Sequence, residues 1–141
     1  MYGLKDTMIV IDATVLADFF IGEEAVHRPA MQLLAEDPVW ISPALWQYEL
    51  GNVLRTYVKA GRLAAAAAET HLRNAGSLVV ETVDMADPQG VLALALERGL
   101  TMYDASYVWL AKLRSLTLRT RDADVLKFCP EYSAPMPVAM P

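Results

Sequence analysis

The sequence predicts an α/β fold whose central, mostly parallel sheet is covered by helices on both faces. Two observations predict it. Short β-branched runs alternate with longer helical stretches along the chain, an order that parallel strands joined by right-handed crossovers produce. At 141 residues and 55% hydrophobic, the chain can also bury a core of that size without disulfides or structural metals.

Met8–Ile11 is a β-branched run closed by Asp12, and the stretch from Ala13 reads as helix through Phe20 until Gly22. The next helix runs from Glu23 to Glu36, with Val26, Ala30, Leu33 and Leu34 as its apolar stripe and Pro29 limiting its first turn. Val39–Ile41 is a second strand. Ser42 then offers an N-cap, and Pro43 a first-turn proline, for a helix predicted to reach about Ala60. Leu63–Ala75 reads as an alanine-rich helix stopped at Gly76, followed by a third strand at Leu78–Val83.

Asp87 and Pro88 open a helix that ends at Gly99. Leu100–Tyr103 is predicted to be extended, with Asp104 capping the helix that follows. Leu116–Thr120 is a further strand, and Asp122 begins a short helix to Phe128. The tail from Pro130 has little pattern beyond a last strand expected at Pro137–Met140. With no repeat and no linker, residues 1–141 are expected to form one domain, with a core at about 8–128 and an irregular tail at 130–141.

The single cysteine, Cys129, makes no internal disulfide, and no CxxC spacing offers a zinc site, so a reducing cytoplasm is the expected compartment. Asp12 and Asp18 interrupt the apolar stretch near the N-terminus, so no export signal is read there. No window approaches the roughly 20 apolar residues of a membrane span. The net charge of −5 opposes nonspecific polyanion binding, although an excess of carboxylates also suits a metal site.

Three acids fall at expected strand-to-helix junctions: Asp12, Asp104 and Asp122. In open parallel sheets ligands bind at the carboxyl ends of the strands, so all three belong to one rim. Singly, each reads as an ordinary helix N-cap. Glu49 differs, because it lies mid-helix beside the apolar face of Trp46, Leu50, Val53 and Tyr57, where no cap is needed. Carboxylates converging in a desolvated cleft repel one another, and a hard divalent cation with oxygen ligands offsets that repulsion. An acidic site free of His and Cys points to metal-assisted phosphodiester chemistry, in which the metal makes water acidic enough to attack without a histidine base.

Competing chemistries lack their residues. His27 and His71 fall on expected helix surfaces, no GxGxxG or GxxxxGK[ST] loop occurs, and Asp12-Ala13-Thr14 lacks the second acid of a haloacid-type phosphatase or a receiver phosphoacceptor.

Four segments together, Val10–Leu16, Leu45–Leu54, Tyr103–Tyr107 and Leu118–Asp122, resemble the PIN-domain family, and within it the VapC-type toxins. The resemblance spans Ile9 to about Phe128 and implies a PIN-like three-layer α/β/α sandwich. It also implies a Mg²⁺- or Mn²⁺-dependent endoribonuclease, with Asp12, Glu49, Asp104 and Asp122 as the acidic metal-binding and catalytic set. Thr14 and Thr120 match hydroxyl positions near the family's site, and Asn52 matches a polar one. Asp124 is an alternative to Asp122 if the turn is placed differently.

RNA-binding candidates are Arg55, Lys59 and Arg62 along one helix, with Lys112, Arg114, Arg119 and Arg121 near the acids; Arg55, Arg119 and Arg121 lead. Phe19, Phe20, Ile21, Leu50, Leu54 and Tyr57 predict an exposed apolar face, hence a homodimer or a partner groove. In the family that partner is a cognate antitoxin. The rival reading is a catalytically inactive PIN-like module that binds RNA or protein and keeps its acids as helix caps.

Overall fold

In the computed structural model, which describes residues 8–138, five strands form one sheet: β1 (Met8–Ile11), β2 (Val39–Pro43), β3 (Val79–Val83), β4 (Leu118–Thr120) and β5 (Ser133–Pro135). Their order is β3-β2-β1-β4-β5, and every neighbouring pair is parallel. Val10 sits opposite Ile41 on one side and Leu118 on the other, so β1 is the central strand.

Seven helices connect the strands among the described residues: α1 (Ala13–Ile21), α2 (Glu24–Glu36), α3 (Trp46–Lys59), α4 (Ala65–Leu78), α5 (Pro88–Arg98), α6 (Met102–Arg114) and α7 (Ala123–Phe128). From β1 the chain steps outward through β2 to β3, then returns to the other side of β1 for β4 and β5. Right-handed crossovers therefore place α1–α4 on one face and α5–α7 on the other, giving the α/β/α sandwich. The step direction reverses between β1 and β4. A crevice forms at the carboxyl ends of strands where the order reverses in this way.

The core follows from the strands. Val10, Ile11, Trp40, Ile41 and Leu118 are buried between Leu16, Leu33 and Leu50 on one side and Val108, Leu110 and Ala111 of α6 on the other. A smaller cluster of Val91, Ala95 and Ala105 joins α5 to α6.

Several sequence expectations change. Ser42 and Pro43 do not start a helix; they extend β2, and the buried Ser42 hydroxyl donates to the Ile11 carbonyl at 2.8 Å. The helix starts at Trp46 with no side-chain cap. Gly76 does not stop α4, which runs two residues further; a helix tolerates one glycine at about 1 kcal/mol. Gly99 does end α5, in the left-handed conformation at φ 68°, which costs a glycine little.

Leu100–Tyr103 is not a strand, because α6 already begins at Met102 with Thr101 as its cap. The last strand is Ser133–Pro135. Pro137 and Val138 carry no strand, and residues 139–140 of that expectation lie outside the described residues.

The apolar face expected on the early helices is largely spent inside the molecule. Leu50 and Leu54 are buried, Phe19 packs edge-on against Trp40, and Phe20 packs on Phe19 and His71. His71 is thus half-buried. So is His27, whose Nδ1 lies 2.9 Å from the Phe19 carbonyl.

Candidate active site

Asp12 follows β1 and caps α1, its Oδ1 accepting the Val15 N–H at 3.1 Å. Its Oδ2 accepts the hydroxyl of Thr120, the fully buried last residue of β4, at 2.7 Å. Thr120 Oγ1 in turn accepts the Asp122 N–H at 3.0 Å, and Asp122 Oδ1 caps α7 by accepting the Val125 N–H at 2.9 Å. One hydroxyl therefore ties together the ends of β1 and β4, at the point where the strand order reverses.

The other two acids come from the helices. Asp104 lies in the first turn of α6, where its backbone N–H is taken by the Thr101 hydroxyl at 3.1 Å, so Asp104 is not a cap. One turn on, the buried Tyr107 hydroxyl donates to Glu49 Oε1 of α3 at 2.6 Å. The fold thus restrains Glu49 from a helix on the opposite face of the sheet.

The carboxyls share an electrostatic field. Burial is the largest effect on Asp12 and pushes it up to about 6; the bonds from Thr120 and Val15 oppose this, and the charges of Asp104 and Asp122 add to it. Burial raises Glu49 too, against the Tyr107 bond and with the charge of Asp104. Asp104 is raised by burial, then by Asp122, and by Asp124 to a smaller degree, against Thr101. Asp122 thus weighs more in the group than Asp124. Tyr107 is held far above its ordinary range by burial and by Glu49, and it stays a proton donor.

Ionisable oxygens that repel one another in a partly dry site, with no His or Cys among them, match a hard divalent cation. Among the described residues no three His, Cys, Asp or Glu side chains are drawn into a ready cage. The donor set fits an ion such as Mg²⁺, which takes one or two carboxylates and keeps several waters.

The remaining candidates scatter. Thr14 is exposed on the first turn of α1, beside Arg121. Asn52 is exposed on α3, where its carbonyl accepts the Thr56 hydroxyl at 3.0 Å. Arg55 faces the groove between α3 and α4. Arg119 spends its guanidinium on the Pro135 carbonyl at 2.9 Å and on Asp37 at 3.3 Å, and on none of the four acids. Arg121 does lie beside them, paired with the buried Asp18.

The Tyr107 hydroxyl and the Asp18–Arg121 pair were missed in the sequence. Tyr107 had a usable signal, since it follows Asp104 by three residues in one helix and so shares its face.

Thr120→Val is expected to destabilise the protein by about 1–3 kcal/mol, because the part-buried Asp122 N–H and Asp12 Oδ2 lose their shared partner. It should also raise Asp12 further, since that hydrogen bond favours the charged form. Urea unfolding checks the first effect and a pH titration the second.

A profile of the PIN domain matches residues 9–129, a span that includes all four acids. The chain belongs to the PIN domain family. Exonuclease VapC9 of Pyrobaculum aerophilum is 42% identical to this PIN domain over 81 residues, which are 56% of this chain and 59% of that protein. The chain thus spans about three-fifths of the curated relative it matches. The crystal structure of PAE2754 from Pyrobaculum aerophilum superposes with a TM-score of 0.72 at 30% identity, covering 89% of this chain and 82% of that one. A toxin–antitoxin complex from Klebsiella pneumoniae has the same fold, with a TM-score of 0.66 at 24% identity over 89% of this chain and 95% of that one. No helix among the described residues is long and apolar enough to cross a membrane.

Proposed function

We propose that this PIN domain, formed by the whole chain, is a Mg²⁺- or Mn²⁺-dependent endoribonuclease and the toxin of a VapBC-like type II toxin–antitoxin pair in the cytoplasm. The observation that carries the nuclease reading is the shared field of Asp12, Glu49, Asp104 and Asp122 where the strand order reverses.

Asp12 and Asp104 would hold the ion, with Glu49 and Asp122 at its edge. When bound, the ion supplies Lewis-acid stabilisation of phosphoryl charge and lowers the pKa of water. The protein's own side chains preorganise the site. Thr120 and the Val15 N–H orient the two oxygens of Asp12, Tyr107 fixes Glu49, and burial around Asp12 lowers the local dielectric so that each charge counts for more.

The binding-module reading draws on Asp12 and Asp122, which do cap α1 and α7. Asp104 and Glu49 cap nothing, and a pair of uncapping, half-buried acids favours the enzyme. The VapC-type resemblance extends the proposal to an antitoxin partner, an RNA substrate and a second copy of the chain. Leu92 and Leu96 on α5 and Leu113 on α6 expose apolar area that a partner could cover.

The test is incubation of the purified chain with linear and circular RNA in Mn²⁺, in Mg²⁺ and in EDTA, with Asp104→Asn as the control against contaminating nuclease. Cutting that needs metal is expected to fall on the order of a thousandfold in the variant. Cleavage of the circle distinguishes an endonuclease from an exonuclease, the activity named for the relative. Equal inertness of both proteins, with no metal bound in calorimetry, would overturn the nuclease reading in favour of the binding module.

A further inference from the structure

Beside the acid group lies a cavity of about 380 Å³, within the roughly 300–1,000 Å³ of small-ligand sites. It starts at Thr14 and Arg121, each within two residues of an acid, and runs along α1 to Ile21. Val26 of α2 and Val53 of α3 give it an apolar wall, and Tyr57 continues that wall towards Arg62.

Two guanidinium groups edge the cavity. Arg62 lies in the turn after α3, with its guanidinium 4.8 Å from the centre of the Tyr57 ring. Among the described residues its side chain has no ion pair. Arg121 spends Nε and Nη2 on Asp18, at 2.7 and 3.1 Å, and the Asp18 carboxylate is only 6% exposed. Asp18 is thereby neutralised, and the half-exposed Arg121 keeps Nη1 free among the described residues. The remaining lining carboxylate, Glu23, is exposed at the far end of the cavity.

An apolar wall that includes one aromatic ring, with guanidinium groups at its rim, matches a nucleotide, which brings a base to stack and a phosphate for charge-assisted hydrogen bonds. The cavity reaches the acids through its rim, where Thr14 and Arg121 adjoin Asp12 and Asp122 in the chain, so a strand lying across the acids meets it next. We infer that it is a nucleotide subsite, taking the base of a single-stranded RNA residue beside the scissile phosphate against Tyr57, Val26 and Val53, with that residue's phosphate on Arg62 and Arg121. The inference rests on the nuclease reading above.

The experiment measures fluorescence anisotropy of a fluorescein-labelled RNA 12-mer of random sequence with the full chain in Ca²⁺ across a salt series, and cleavage of the same RNA in Mn²⁺. Arg62→Gln and Val26→Trp are each expected to weaken binding roughly fivefold to tenfold, and Arg62→Gln to flatten the salt slope by about 0.7. Arg73→Gln, which removes the same charge from exposed α4, should stay within about twofold of wild type. Arg62 is exposed, so its variant decides the matter even if Val26→Trp fails to fold.

Wild-type affinity in both cavity variants, as expected of a cavity that serves a protein segment, overturns the subsite. An equal loss in Arg73→Gln overturns it, as does failure of the wild type to bind the RNA. If the wild type cuts while the variants bind normally, the subsite falls and the nuclease reading stands. If binding depends on the cavity but no RNA is cut, the subsite stands and the nuclease reading falls.

Discussion

Asp12→Asn is expected to lower RNA cleavage on the order of a thousandfold and, at the same time, to raise the melting temperature of the metal-free protein at neutral pH. Burial holds the Asp12 carboxyl at about 6, above its ordinary 3.8. The native state therefore binds more protons than the unfolded chain between those two values. Stability of the metal-free protein must then fall as pH rises from about 4 to about 6. Glu49 and Asp104, both raised, act in the same direction.

Asparagine removes the titrating charge, and its side-chain carbonyl can still accept the Val15 N–H. The expected gain is on the order of a few kcal/mol at pH 7, or several degrees in Tm, and it should vanish near pH 4. Calorimetric scans at both pH values check this. A Tm at pH 7 that falls with the substitution would show that the fold prefers the charged carboxylate, and the account of the site would fail.

Trp40→Ala is expected to cost about 3–5 kcal/mol, a large part of the roughly 5–15 kcal/mol that a domain of this size holds. Trp40 is fully buried in β2, meets Phe19 edge to face at 6.0 Å, and donates its indole N–H to the Asp37 carbonyl at 2.7 Å. Removing the indole opens a cavity against the sheet and strands that carbonyl. Trp40→Phe keeps most of the volume but not the donor, so urea unfolding of the two variants separates packing from the hydrogen bond. A loss below about 1 kcal/mol for Trp40→Ala would show that the neighbours collapse into the space.

Where a local signal decides the structure, the sequence was readable. Asp12 and Asp122 cap α1 and α7, and Asp87, Pro88 and Gly99 bound α5, because each cap bond spans only a few residues. Ser42 misled because its hydroxyl finds the Ile11 carbonyl, 31 residues away, instead of a helix end. Asp104 was displaced as a cap by Thr101, a competitor three residues earlier with the same capping chemistry. The bond between Tyr107 and Glu49 joins residues 58 apart, and the turn of Arg119 towards Asp37 bridges 82. No pattern of period 2 or 3.6 carries such pairings, so the acids were legible as residues while their supports were not. Composition likewise could not distinguish Phe19 and Phe20 packed against neighbours from the same residues facing a partner.

The Thr120 hydroxyl and the Asp12 carboxylate it holds are 108 residues apart in the chain. A ribosome adds roughly 5–20 residues per second from the N-terminus, so Asp12 emerges long before its anchor exists. The central strand must wait for β4 before the rim can close, and a nascent chain halted short of Thr120 carries Asp12 and Asp104 without the tie between strand ends or the last acid. Cutting competence should therefore arise only once Thr120 and Asp122 have emerged, so that translation itself holds the site open long after its first acid has been made.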